Sequence, residues 1–190
     1  MKTRCAWCAN SFEEYVRYHD EEWGVPVHDD KKHFEFLVLE SAQAGLSWAT
    51  ILKKREGYRK AFADFDVETV AQYGPGMIED LVNDASIIRN RQKIEATVNN
   101  AQQFIKVQHE FGCFDNYIWQ FVDGKPIVNS WKSMEEVPVT TKESDTLAKD
   151  LKKRGFKFVG STTIYAHMQA IGLVNDHTTD CFRYMELLNK

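Results

Sequence analysis

Five side chains of the kind that hold zinc are divided between the two ends of this 190-residue chain. Cys5, Cys8 and His19 stand near the start, and His177 and Cys181 near the end. The four-residue spacing of the last pair predicts two side chains one helical turn apart on a single face. One ion held from both ends would bring the first and last segments together and close the chain on itself. A closed structural zinc site takes four Cys or His ligands in a tetrahedron. Two such sets are available, Cys5, Cys8, His177 and Cys181, or Cys5, His19, His177 and Cys181. Without an ion, Cys5 and Cys8 read as small buried residues and His177 as a helix-end histidine. Both readings are open at this level.

Between these ends the chain is long enough for one domain with a sizeable core, or for two small units sharing one. Its apolar fraction of 43%, with 13% aromatic residues, fits a folded globular protein. No apolar stretch reaches the length that spans a bilayer. The opening residues Met1 to Cys8 lack the apolar core of a signal peptide. A cytoplasmic protein is expected, in which cysteines serve as metal ligands or free thiols rather than disulfides. The net charge of −4 does not point to nucleic acid. Local basic runs, Lys53 to Arg55 and Lys149, Lys152, Lys153, Arg154 and Lys157, read either as solvated helix faces or as anion-binding patches.

Helical periodicity dominates and makes the expected class all-α. Ile87, Ile94, Val98, Ala101 and Ile105 step along one helix face. Phe34 to Leu39 is almost wholly apolar and runs into Glu40, which predicts an acid on a helix inside the core. Thr140 with Glu143 predicts a capping box for a helix running to Arg154, stopped by Gly155. Ser161 to Ile171 predicts the next helix, Tyr73 to Gly76 a turn, and Lys125 to Val128 the best strand.

Glu40 lies in sequence among Tyr15, Tyr18, Trp23 and Trp48. Aromatics in a helical domain are ordinarily core, but a carboxylate among them costs several kcal/mol unless paired or hydrogen-bonded. Such an acid would hold a flat, cationic ligand bearing N–H groups, because aromatic faces attract the charge and the carboxylate accepts the protons. A structural Arg or Lys partner would explain Glu40 equally well. The segment Gly155 to Gly160, followed by Ser161, reads as a glycine-bounded hairpin between helices, either a plain turn or a phosphate-binding helix start.

Taken together, Arg4-Cys5-Ala6-Trp7, Tyr18-His19-Asp20 with Trp23-Gly24, Leu39-Glu40 with Gln43 to Trp48, Leu151 to Gly160, and Gly172 to His177 with Cys181 resemble the bacterial 3-methyladenine DNA glycosylase I family over nearly the whole chain. That resemblance implies an all-α helix-hairpin-helix glycosylase fold as a single domain over 1–190. The central helix-hairpin-helix region would be joined by a second subdomain built from the two termini. It implies one structural zinc per chain, held by Cys5, His19, His177 and Cys181. Cys8 stands outside the family pattern, and the gap from Cys5 to His19 is one residue longer than expected for the family. The implied base pocket is Glu40, Trp48 and Tyr18, and more loosely Tyr15, Trp7 and Trp23, with Glu40 as the candidate catalytic residue. Gly45 and Leu46 would meet the DNA, Leu46 as a wedge. Lys153, Gly155, Lys157, Gly160 and Ser161 would grip its backbone. The expected reaction is base flipping and hydrolytic release of 3-methyladenine from alkylated double-stranded DNA, without lyase activity, by a monomer with no membrane role. Asp176 falls near the position of the catalytic aspartate found in other glycosylases of this fold. A zinc hydrolase, or a DNA-binding module without catalysis, are the competing expectations.

Overall fold

The computed structural model describes residues 2–9 and 11–188. These residues form eleven α-helices: α1 Glu13–Glu21, α2 Asp30–Gln43, α3 Trp48–Lys53, α4 Arg55–Ala61, α5 Val67–Ala71, α6 Pro75–Asn83, α7 Arg91–Phe111, α8 Phe114–Trp119, α9 Lys142–Lys153, α10 Ser161–Ala170 and α11 Phe182–Leu188. Two short parallel strands, β1 Ile127–Val128 and β2 Val174–Asn175, pair Ile127 with Val174 and Val128 with Asn175. Of the expected strand Lys125 to Val128 only Ile127 and Val128 pair, and their partner lies in a segment with no strand signal of its own.

Helix α2 is the axle of the fold, packing against α3, α7, α8 and α10. Asp29 starts it by accepting from the Lys32 amide at 2.8 Å. Every residue from His33 to Ala42 is buried. Phe34 meets Phe104 of α7, and Phe104 in turn stacks on Phe114 of α8 at 4.0 Å. Two ties hold α2 in place. Arg55 donates to Glu22 at the end of α1 and to Glu35 of α2, bracing these elements together. Lys93 of α7 donates to the carbonyls of Ala42 and Ala44 at 2.8 and 2.6 Å, closing the C-terminal end of α2.

Several boundaries differ from the expectation, each for a local reason. Ile87 is buried but lies ahead of α7, which begins at Arg91 with Asn90 as its cap. The box opening α9 is one residue later, with Thr141 and Ser144 exchanging hydrogen bonds. Tyr73 to Gly76 is not one turn, because Pro75 occupies the first position of α6, where its missing N–H does no harm. His177 and Cys181 are not on a helix; both lie in the turn before α11, where the Cys181 amide donates to Thr178. Gly155 does stop α9, with φ of +93°. The hairpin beyond is clamped from α7: Asn99 donates to the Gly155 carbonyl, and Asn100 holds both the amide and the carbonyl of Lys157.

Lys93→Met keeps the aliphatic stem of Lys93 but leaves the Ala42 and Ala44 carbonyls without their donor. Urea denaturation should show a loss of about 1–2 kcal/mol. An unchanged midpoint would show that water serves these carbonyls equally well.

Candidate functional site

The side chains named above gather into two adjoining places. In the first, Cys5 Sγ, Cys181 Sγ, one ring nitrogen of His19 and one of His177 lie within 4.8 Å of one another, all buried. His177 Nδ1 is 3.5 Å from each sulfur, and His19 Nε2 is 3.5 Å from Cys181 Sγ. Metal–sulfur and metal–nitrogen bonds near 2.3 and 2.0 Å at tetrahedral angles place N and S about 3.5 Å apart. The donor set and its spacing therefore fit a tetrahedral metal ion with four protein ligands. The outward ring nitrogens are fixed as well. His19 Nδ1 lies 2.8 Å from Asp20, which is itself gripped by Arg4, and His177 Nε2 lies 2.9 Å from the Trp23 carbonyl. Such partners hold each imidazole in the tautomer that presents a lone pair to a metal. Cys8 is not in the cluster; its thiol donates to the Cys5 carbonyl at 3.3 Å. Of the two sets the sequence allowed, the chain assembles the one containing His19.

The second place is a cavity of about 230 Å³ that brings together Trp7, Tyr15, Tyr18, Trp23, Glu40 and Trp48, all six of the expected pocket residues. The aromatic rings pack edge to face or tilted, with Trp7 5.1 Å from both Tyr15 and Trp23, and Tyr18 5.2 Å from Trp48. Gln43, Met134, Ala166 and Gln169 complete the wall. Gln43 lies within the Leu39–Trp48 motif but carried no role there, and Met134, Ala166 and Gln169 were not singled out in the sequence. None of the four metal-type ligands lines the cavity. A metal that activates water beside Glu40 is therefore not what this arrangement offers. On the far side of Glu40, Gln43 and Ala166 a second cavity of about 230 Å³ opens between Gly45-Leu46 and Thr162-Thr163.

Glu40 is the chemical centre of the pocket. It is buried, and its Oε2 has no hydrogen-bond partner. Among the described residues no cation pairs with it, whereas Arg55, Arg59 and Lys32 all reach Glu35, five residues earlier on α2. Burial alone pushes Glu40 up to about 8. Burial acts on Glu35 as well, but hydrogen bonds and charge from Arg55 outweigh it and hold Glu35 below the ordinary value. Tyr18, facing the same space, is pushed well above its usual value by burial and then by Glu40, so it stays a neutral hydroxyl. The Trp48 indole N–H is likewise buried without a partner. A ligand that stacks on these rings and donates N–H groups would relieve the acid.

The other expected residues are dispersed around the mouth. Gly45, at φ of +78°, lets the chain turn sharply after α2 and leaves Leu46 exposed. Lys153 and Lys157 are exposed beside the hairpin, and Gly160 precedes α10 with open space at its Cα. The Ser161 hydroxyl is already taken, lying 2.5 Å from Asp145 and 2.8 Å from Ser144. Asp176 is buried with both oxygens hydrogen-bonded, so no lone pair of it is left for water.

Fold and site define a mostly helical protein built to hold one flat, donor-rich ligand in an aromatic pocket. Residues 7–184 match the family model described as methyladenine glycosylase. The chain is 49% identical over 181 residues to DNA-3-methyladenine glycosylase 1 of Escherichia coli (strain K12), covering 95% of this chain and 96% of that protein. A crystal structure of a 3-methyladenine DNA glycosylase I superposes with a TM-score of 0.92 at 48% identity, over 95% of this chain and 98% of that one. A variant of such an enzyme solved in complex with 3-methyladenine superposes with a TM-score of 0.91 at 40% identity, over 94% and 96%. The chain belongs to the methyladenine glycosylase family.

His19→Ala should lose the bound metal on elemental analysis, whereas Cys8→Ser should retain about one ion per chain. Metal retained without His19 and lost without Cys8 would reverse the ligand assignment.

Glu40 also fixes a pH dependence. Between its ordinary value of 4.5 and about 8, the unfolded chain releases a proton that the folded protein keeps. Stability contributed by this group therefore falls as pH rises across that window. Glu40→Gln cannot ionise, so its melting temperature should gain on wild type progressively from about pH 5.5 to about pH 8. Parallel pH profiles would contradict the assignment.

Proposed function

We propose that this chain is a monofunctional DNA glycosylase that flips 3-methyladenine out of alkylated duplex DNA and hydrolyses its N-glycosidic bond. The observation that carries this reading is the buried Glu40 carboxylate, without a hydrogen-bond partner for its Oε2 among the described residues, in a wall of five aromatic residues from the N-terminal segment, α1, the turn after it and α3. Methylation at N3 leaves the base cationic while it is attached to deoxyribose. The glycosidic bond is weakened, and the base departs with the bonding electron pair. Water adds its oxygen to C1′ and releases a proton. With so good a leaving group, the protein's main task is to extrude the nucleotide and hold the base.

In this reading Trp48 and Tyr18 stack on the base and Glu40 accepts from its amine. The acid thereby favours a cation that donates and disfavours neutral bases. Leu46, exposed at the tight turn after α2, fills the gap left in the duplex. The Gly155–Gly160 hairpin and the start of α10 form the helix-hairpin-helix element, meeting a phosphate through backbone N–H groups while Lys153 and Lys157 add charge. The Ser161 side chain contributes little there, since Asp145 and Ser144 hold it. Zinc is the ion that best suits two cysteines and two histidines. Its chemistry there is structural, because four protein ligands leave no open position. The whole of 1–190 acts as one glycosylase domain, a cytoplasmic monomer in this reading. Among the described residues no helix is long and apolar enough to cross a membrane.

The test is direct. Wild-type protein incubated with methylated duplex DNA should release 3-methyladenine, leave the abasic strand uncut, and give no borohydride-trapped adduct. Glu40→Gln, folded and metal-loaded, should lower single-turnover release at least about tenfold, the scale of one lost charged hydrogen bond. Release at the wild-type rate would remove Glu40 from the reaction, and a trapped adduct would contradict a monofunctional mechanism.

A further inference from the structure

A buried carboxylate that the reaction does not use, and that no cation among the described residues braces as Glu35 is braced, is tied to the pocket wall. Asp176 follows β2 and is 1% exposed. Its Oδ1 accepts from Asn129 Nδ2 at 2.7 Å and from Trp131 Nε1 at 2.8 Å. Its Oδ2 accepts from the Tyr165 hydroxyl at 2.5 Å and from Gln169 Nε2 at 2.8 Å. A carboxylate has about four acceptor positions, and here all of them are filled by donors.

Three of these donors are ordinary support for a buried acid. The fourth belongs to a residue of the cavity wall. An amide carries donors on one atom and an acceptor on the other, and the two are interchangeable by a half-turn about the last bond. A carboxylate ends that ambiguity, because it can only accept. With its nitrogen committed to Asp176, Gln169 keeps its carbonyl oxygen, for which no hydrogen bond is recorded among the described residues. The residue is anchored on both sides, since its main-chain carbonyl accepts from the Gly24 amide at 2.9 Å, beside Trp23.

We infer that Gln169 is a specificity-determining residue, presenting its side-chain oxygen to the base as a second acceptor besides Glu40, and that Asp176 is the positioning residue that holds it that way. The inference rests on the excision reading above. Its chemistry is specific. A cationic N3-methylated adenine offers a 6-amino group with two strongly polarised hydrogens, and two acceptors can take both. An N3-methylated guanine places a carbonyl oxygen at the same point and meets acceptors only, which is the repulsive element that discrimination requires. Neither residue transfers a proton, so the pair affects selection of the base rather than the bond-breaking step.

Gln169→Met preserves length and apolar packing but offers no acceptor. Calorimetry with free 3-methyladenine should show binding weakened about tenfold relative to wild type, the scale of one lost hydrogen bond. The ratio of excision rates for 3-methyladenine over 3-methylguanine should fall as well. Asp176→Asn lets the Gln169 amide turn over, so the same ratio should fall, whereas loss of mere support would lower both rates together and leave the ratio alone. Should either variant fail to fold, wild type labelled with ¹³C and ¹⁵N at glutamine still decides. Adding 3-methyladenine should move the Gln169 carbonyl carbon while its amide protons stay protected on Asp176. An unmoved carbonyl carbon, Gln169→Met binding within about twofold of wild type, or unchanged ratios would each overturn the inference. Wild type that binds no 3-methyladenine overturns the excision reading and this inference with it. Wild type that binds while Gln169→Met binds equally well overturns this inference alone.

Discussion

Two histidines and two cysteines drawn from opposite ends of the chain converge within 4.8 Å, and most of the pocket's aromatic wall is built on that convergence. Trp7 follows Cys5 by two residues, and Tyr18 immediately precedes His19. The Trp23 carbonyl is the contact that fixes the His177 ring. Four of the ten lining residues, Trp7, Tyr15, Tyr18 and Trp23, therefore lie in the segment that carries Cys5 and His19. Five more come from α2, α3 and α10, which the hydrophobic core positions independently, and Met134 completes the wall. An ion held at this anchor would set where one wall stands relative to the other, although it would lie outside the cavity. A cluster with four protein ligands could in that way shape a site it does not enter.

The two buried acids of α2 show how the fold separates support from function. Glu35 and Glu40 stand five residues apart on the same buried helix, and both are almost fully enclosed. Glu35 receives Lys32, Arg55 and Arg59, and becomes a brace between α2 and its neighbours. Among the described residues no donor reaches Glu40 Oε2, and burial alone pushes its carboxyl up. An unsatisfied buried acid destabilises a fold. A ligand with N–H donors would supply the missing contact. Asp176 illustrates the opposite extreme, a carboxylate so fully bonded that it serves only to orient others.

Much of this was legible in the sequence, and the gaps have physical causes. The buried helix carrying Glu40, the aromatic cluster and the ligand residues were all visible, because each depends on residue type or on local periodicity. Choosing His19 over Cys8 needed the family resemblance beforehand and the three-dimensional placement afterwards, since both are sterically possible partners of Cys5 from spacing alone. Ile87 fell in step with α7 by coincidence; a buried loop residue leaves the same apolar mark as a helical one. The helical spacing of His177 and Cys181 misled in the same way, as a tight turn also brings residues four apart together. Gln169, Asn99 and Asn100 gave no signal at all. The partners of Asn99 and Asn100 lie 56 and 57 residues away, outside any window of sequence, and Gln169 and Asp176, 7 residues apart, show no periodic pattern that marks them as a pair.

An acidic protein that meets DNA must keep some cations out of its internal pairing, and the pattern of ion pairs divides the basic residues accordingly. Several arginines are committed to internal pairs: Arg4 grips Asp20, Arg55 joins Glu22 to Glu35, and Arg183 holds Glu186. Arg154, which in sequence belongs to the basic run before the hairpin, is also committed, to Glu110 and Asp150. Lys152, Lys153 and Lys157 take part in none of these ion pairs. The planar, multidentate guanidinium suits fixed internal braces, and the mobile ammonium suits a phosphate whose position varies with sequence and shape. Salt screens the remaining negative surface beyond roughly 8–10 Å, so in the proposed reading three lysines without an ion pair among the described residues could act locally against a net charge of −4. The basic run that looked uniform in sequence is thus two populations, Arg154 committed to Glu110 and Asp150, and lysines outside the ion pairs seen among the described residues.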